Sequence, residues 1–124
     1  MTVAGRVAFV TGASRGIGRA IALALRDQGA RVVGTRTTES REPDLACHEW
    51  VRADFADVDQ INACAASVRN LRPDILINNA GINRVANFVD IDPGDFLAVQ
   101  QVNVLAPLLL CQAAIPSMKV RKRR

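Results

Sequence analysis

The segment that most constrains this chain is Arg6–Gly18. An apolar run, Arg-Val-Ala-Phe-Val-Thr over residues 6–11, leads into Gly12-Ala13-Ser14-Arg15-Gly16-Ile17-Gly18. An amphipathic stretch over residues 16–28 follows, with Ile17, Ala20, Ile21, Ala24 and Leu25 at helical spacing and Gly29 as a stop. A short apolar run ending at glycine reads as a buried parallel strand. The loop after it therefore opens a helix. Such a junction places free backbone N–H groups and the positive end of a helix dipole at one point. A pyrophosphate can approach only where no Cβ intrudes. On this reading Gly12 permits a tight turn, Gly16 a close approach, and Gly18 close packing of helix on sheet.

The remaining pattern repeats strand and helix. Arg31–Thr35, Glu49–Ala53 and Asp74–Asn78 read as further strands, and Asp57–Arg69 as a second helix with Ile61, Ala65 and Val68 on one face. Residues 36–47, with Pro43, read as polar loop. Asp92-Pro93 caps one or two helices over residues 93–118, interrupted near Pro107. Strands separated by helices imply parallel pairing with right-handed crossovers, so the fold class is α/β.

A second motif, Asn78-Asn79-Ala80-Gly81, follows the fourth strand directly and begins 60 residues after Gly18. The glycine spacing with its leading Thr11 and Gly-Ile-Gly ending, followed by Asn-Asn-Ala-Gly at this distance, resembles the short-chain dehydrogenase/reductase family. More specifically it is similar to 3-oxoacyl-carrier-protein reductase-like members. The resemblance implies a Rossmann-type parallel sheet with helices on both faces, in strand order 3-2-1-4. It implies NAD(P)-dependent oxidation or reduction of a carbonyl or secondary alcohol. It assigns cofactor contacts to Thr11, Gly12, Ser14, Arg15, Gly16, Ile17, Gly18, Asn79, Ala80 and Gly81. It places Asp54 against the adenine and gives Asn103 the place of the catalytic-tetrad asparagine.

Cofactor choice is read near the end of the second strand. Gly34-Thr35-Arg36-Thr37-Thr38 contains no carboxylate to hold ribose hydroxyls and repel a 2′-phosphate. It offers Arg36 and hydroxyls instead, and Arg15 adds a second cation, so NADP(H) is expected over NAD(H). Glu39 reads as a solvated loop residue.

The chemistry is incomplete within these residues. The resemblance calls for a serine, a tyrosine and a lysine four residues after that tyrosine, on a fifth strand and its helix. The 124 residues contain no tyrosine. His48 is the single histidine and is expected on the wrong side of the sheet. The expectation is a Rossmann domain over 1–118 truncated after about four strands, followed by a basic tail over 119–124, with negligible turnover alone. A small-molecule substrate is expected only for a longer form. The fourth strand would be an apolar edge, inviting homo- or hetero-oligomers through that edge and the last helix. The competing reading is a non-catalytic nucleotide-binding or regulatory subunit that pairs with a complete relative.

Composition excludes other classes. Five of the sixteen basic residues stand in the last six positions, which leaves eleven basic against twelve acidic side chains over 1–118. A neutral body offers no basic face for nucleic acid. The apolar stretch Val104–Leu110 is too short to span a bilayer, so no membrane partner is expected. Cys47, Cys64 and Cys111 are widely spaced, without a C-x-x-C pair, and read as reduced thiols of a cytoplasmic protein with no metal site.

Overall fold

The structure is a computed structural model that describes residues 2–39 and 44–121. Pro43 and the basic residues Lys122, Arg123 and Arg124 lie outside them. Four strands, β1 (Val7–Val10), β2 (Arg31–Arg36), β3 (Glu49–Arg52) and β4 (Ile75–Ile77), form one parallel sheet in the order β3-β2-β1-β4. Four α-helices accompany them: α1 (Gly16–Asp27), α2 (Val58–Leu71), α3 (Pro93–Gln100) and α4 (Ala106–Arg121). The chain thus has the Rossmann-type architecture expected from its motifs.

Local signals fix most boundaries. The α1 helix ends in a Schellman motif: Ala30 N–H donates to Leu25 O, Gly29 N–H donates to Arg26 O, and Gly29 takes φ +89°. The Asp57 carboxylate caps α2 by accepting from Asp59 N–H, and Asp92 caps α3 by accepting from Gly94 N–H at 2.8 Å. Arg72 closes α2 in the left-handed region at φ 53°, and Pro73 cannot continue the helix.

The sheet divides two cores. Phe9, Val33 and Leu76 face α2 and α4, where Ile61, Cys64, Val68, Ala106 and Leu110 complete the packing. Ala8, Val10 and Val32 face α1 with Ala22, Ala30 and Cys47. The expected faces hold for α2, whose Ile61, Ala65 and Val68 are buried, but shift for α1. There Gly18 and Ala22 are the buried residues, while Ile17, Ala20 and Ala24 are exposed. Small residues let α1 lie close to the strands, so the larger apolar side chains sit on its flanks.

The final helix also differs from expectation. From Pro93 to Arg121 the helical run is continuous. A π-helical segment, Gln101–Leu105, joins α3 to α4 just before Pro107. Ala106 N–H donates to Gln101 O, an i→i−5 bond. Pro107 has no N–H for the Asn103 carbonyl four residues earlier, so the widened turn falls where the regular ladder would fail. This run is long and apolar enough to cross a membrane by length and composition alone. Its Val102, Ala106, Leu110 and Ala114 are buried in the core beside α2, while 22% of the apolar window as a whole is buried. The helix extends beyond Met118 to Arg121, whose guanidinium pairs with the Asp74 carboxylate at 2.5 Å and donates to Arg72 O. Arg121 is therefore part of the folded body and not of a solvated tail.

Candidate cofactor site

The glycine loop leaves the C-terminal end of β1 and is fixed by Thr35 at the end of β2 and by Thr11 and Asn79 just past β1 and β4. Thr11 is 1% exposed. Its hydroxyl oxygen accepts from Asn79 N–H at 3.0 Å and Ala80 N–H at 2.9 Å. Asn79 returns the contact, donating from Nδ2 to Thr11 O at 3.2 Å and Gly12 O at 3.1 Å. On the other flank, Thr35 Oγ1 accepts from Gly12 N–H and Thr35 O accepts from Ala13 N–H, each at 3.0 Å. The ends of β1, β2 and β4 are thereby tied through a loop whose first two N–H groups are already used. Thr35 corrects the expectation of a hydroxyl facing a phosphate: it is 2% exposed and supports the loop from beneath.

Beyond Ala13 the loop opens outward. Ser14, Arg15, Gly16 and Ile17 are exposed, Ile17 at 74%. Arg15 occupies the N-cap of α1 without a side-chain cap, and the first turn carries no acidic side chain. The N–H groups of that turn have no intrahelical acceptor. Gly12 and Gly16 take φ +64° and +59°, and a Cβ on Gly16 would meet nothing within 4 Å. Open space, left-handed glycines and an uncapped helix start form a cradle that fits an anionic diphosphate.

Gly18 has a stricter role than packing on the sheet. A Cβ there would stand 2.1 Å from Gly12 O and 2.4 Å from Asn79 Nδ2. The helix start is pressed onto the loop and onto the Asn79 clamp. This contact links the two sequence motifs.

The other expected site residues lie around this cradle. Arg36 ends β2 with its guanidinium over the Trp50 ring, 4.9 Å from the centroid. Asp54 follows β3 and is exposed; its Oδ1 accepts from Ala56 N–H, and its own N–H donates to Gln60 Oε1. Gly81 is exposed beside Asn103, whose Oδ1 would lie 3.4 Å from a Cβ on Gly81. Asn103 stands in the π-helical segment, accepts from Ile82 N–H and donates to Ile82 O, each at 2.9 Å. It thus holds the segment that continues from Asn78-Asn79-Ala80-Gly81. Gln101, not singled out from the sequence, donates from Nε2 to Phe55 O at 2.9 Å and Ala56 O at 2.7 Å and anchors the loop beside Asp54. His48 lies before β3, where its Nδ1 accepts from Val32 N–H.

All three cysteines are unpaired. Burial pushes the Cys47 thiol up to about 12, with the nearby Asp44 carboxylate adding to the effect, and burial alone pushes Cys64 up to about 12. Both are protonated packing groups at neutral pH. Among the described residues no cluster of three potential metal ligands exists.

Comparison with known proteins matches this architecture. A family model described as short chain dehydrogenase covers residues 6–124. The chain is 34% identical to L-xylo-3-hexulose reductase of Hypocrea jecorina over 92% of this chain and 48% of that protein. It is 35% identical to the 3-oxoacyl-acyl-carrier-protein reductase of Pseudomonas aeruginosa over 95% of this chain and 52% of that one. The crystal structure of a metagenomic short-chain oxidoreductase in complex with NADP superposes with a TM-score of 0.86 at 36% identity, covering 99% of this chain and 60% of that one. The chain spans about half the length of the curated relatives it matches. With the glycine loop, the Asn-Asn-Ala-Gly turn and the 3-2-1-4 sheet in place, this chain belongs to the short-chain dehydrogenase family.

Proposed function

We propose that the chain is the cofactor-binding half of an oxidoreductase acting on a carbonyl or secondary alcohol, and that it takes NADP(H) in preference to NAD(H). The observation that carries this reading is the cradle at the start of α1. Gly12 and Gly16 lie in the left-handed region, Gly16 faces open space, and no side chain caps the helix. The family membership and the NADP-bound structural relative support it.

In this reading the N–H groups of the first turn of α1 hold the pyrophosphate. Ser14, Arg15 and Ile17 line its approach, and Gly18 keeps the helix against the loop. Arg36 meets the adenosine 2′-phosphate through charge-assisted hydrogen bonds. Asp54 contacts the adenine. Thr11 and Asn79 hold the cradle in shape, and Ala80 and Gly81 pass beside the dinucleotide. A dinucleotide held by these residues would supply hydride chemistry at its nicotinamide. Asn103 orients the Gly81–Ile82 backbone beside the reacting region, which is the position the tetrad asparagine would take. No tyrosine is present to move the proton. A positioned acid–base group contributes about 10²–10⁴-fold, so these 124 residues alone are expected to bind dinucleotide without turning it over.

Equilibrium titration of the chain with NADPH and NADH tests the proposal. It predicts binding of both, tighter for NADPH, with no carbonyl-dependent NADPH oxidation. Absence of dinucleotide binding by the folded chain would overturn it.

A further inference from the structure

Trp50 is held firmly for a side chain next to an exposed site. Its indole N–H donates to Asp44 O at 3.1 Å. Its ring edge rests on Gly34, where a Cβ would come within 3.3 Å of Cζ3. The rest of the ring packs onto the α1-side core, which includes Cys47. Even the glycine is enforced: a Cβ at position 34 would also stand 2.4 Å from Cys47 Sγ and 2.8 Å from Ala13 Cβ.

The sheet register places this platform. Gly34 pairs with Trp50 and Arg36 with Arg52, so residues 34, 36 and 50 share one face and Arg36 is the diagonal neighbour of Trp50. The 4.9 Å separation of guanidinium and indole is a cation–π contact. A cation–π contact does not by itself use the guanidinium N–H edge, the part that grips a phosphate. Among the described residues Arg36 makes no ion pair that would occupy that edge. An arginine pre-placed in this way loses less rotamer freedom when it binds an anion.

We propose that Trp50 is a positioning residue for cofactor selection: it presents Arg36 to the 2′-phosphate of the dinucleotide and so sets the preference for NADP(H). This rests on the cofactor reading above. Trp50 need touch no part of the ligand.

The test measures dissociation constants for NADPH and NADH with the chain and its Arg36→Gln, Trp50→Leu and Trp50→Phe variants. Arg36→Gln is expected to abolish the preference for NADPH. Trp50→Leu is expected to weaken NADPH about two- to five-fold, the range of an exposed cation–π contact, and to leave NADH unchanged. Trp50→Phe, which keeps an aromatic face, should retain part of the effect. A loss of affinity shared equally by both dinucleotides would mark Trp50 as structural and overturn the proposal. An unchanged ratio in Trp50→Leu, with the ratio abolished in Arg36→Gln, would overturn the role of Trp50 and leave the cofactor reading standing. An unchanged ratio in Arg36→Gln would overturn both.

A second measurement needs no variant. Trp50 is the single tryptophan, and the chain has no tyrosine, so ultraviolet-excited emission reports this platform. Adenosine 2′,5′-bisphosphate is expected to change that emission more than adenosine 5′-monophosphate, because the added phosphate alters the charge beside the indole. Identical responses at saturation would overturn the proposal.

Discussion

The two ends of the Asn78–Gln100 region differ sharply. At its start, Asn79 and Ala80 are locked to Thr11, and Asn79 reaches across to Gly12. Further on, Val85, Phe88 and Val89 are each about nine-tenths exposed, and Phe96 and Leu97 are more than half exposed. The first part is polar and its bonds are made inside the chain. The second is apolar and makes little use of the core. Among the described residues no buried side-chain nitrogen or oxygen lacks a hydrogen-bond partner. The contrast shows that the cradle is self-supporting, whereas the apolar segment contributes little to the stability of these residues.

The strongest way to break the ordered end is Gly18→Ala. Its Cβ would press on the Gly12 carbonyl and Asn79. Overpacking a backbone contact of this kind is expected to cost about 3 kcal/mol or more, read by urea unfolding, with loss of dinucleotide binding. Asn79→Ala comes next. It removes two donated bonds and leaves the Thr11 and Gly12 carbonyls without this donor. The expected loss is about 1–3 kcal/mol, with weaker binding of NADPH and NADH alike.

A pH series sharpens the same contrast without mutation. The folded-state thiols of Cys47 and Cys64 are raised from 9.0 to about 12. Between those values the folded chain holds protons that the unfolded chain has released. Their contribution to stability is complete below pH 9 and is lost as pH rises toward 12. Denaturation midpoints should fall across this window, and Cys64→Ala should flatten part of the slope. At pH 8, thiol labelling should modify Cys111 first, since it is partly exposed while the other two are buried.

The smallest effect is expected in the apolar segment. Phe88→Ser should change stability by no more than about 0.5 kcal/mol, because the ring is 88% exposed. A large destabilisation would contradict the division drawn between the two parts.

Much of the fold was legible because periodicity and punctuation agree. Apolar runs, the Gly29 stop and the Asp92 cap give the strands and helices, and the family resemblance carried by the two motifs implies the sheet order. Contacts between residues distant in sequence were less accessible. Gly18 looked like a helix-on-sheet glycine, but it abuts Gly12 O and Asn79, a contact 61 positions apart in the second case. Thr35 looked like a phosphate hydroxyl until the register turned it toward Gly12 N–H. Ile17, Ala20 and Ala24 followed helical spacing yet lie outside the buried stripe, because small residues at 18 and 22 bring α1 down on the other side. The π-helical turn had one available signal, Pro107 four residues after Asn103, which read instead as an interruption. The Arg36–Trp50 contact depends on cross-strand register, and no local pattern encodes it.

The most direct test of the central claim is calorimetric titration of NADPH into the 124-residue chain beside Gly18→Ala, with circular dichroism confirming the fold of each. The account predicts stoichiometric binding to the chain and none to the variant. A folded chain that binds no NADPH, or a folded Gly18→Ala variant that binds it with unchanged affinity, would contradict the assignment of the glycine loop as the dinucleotide cradle.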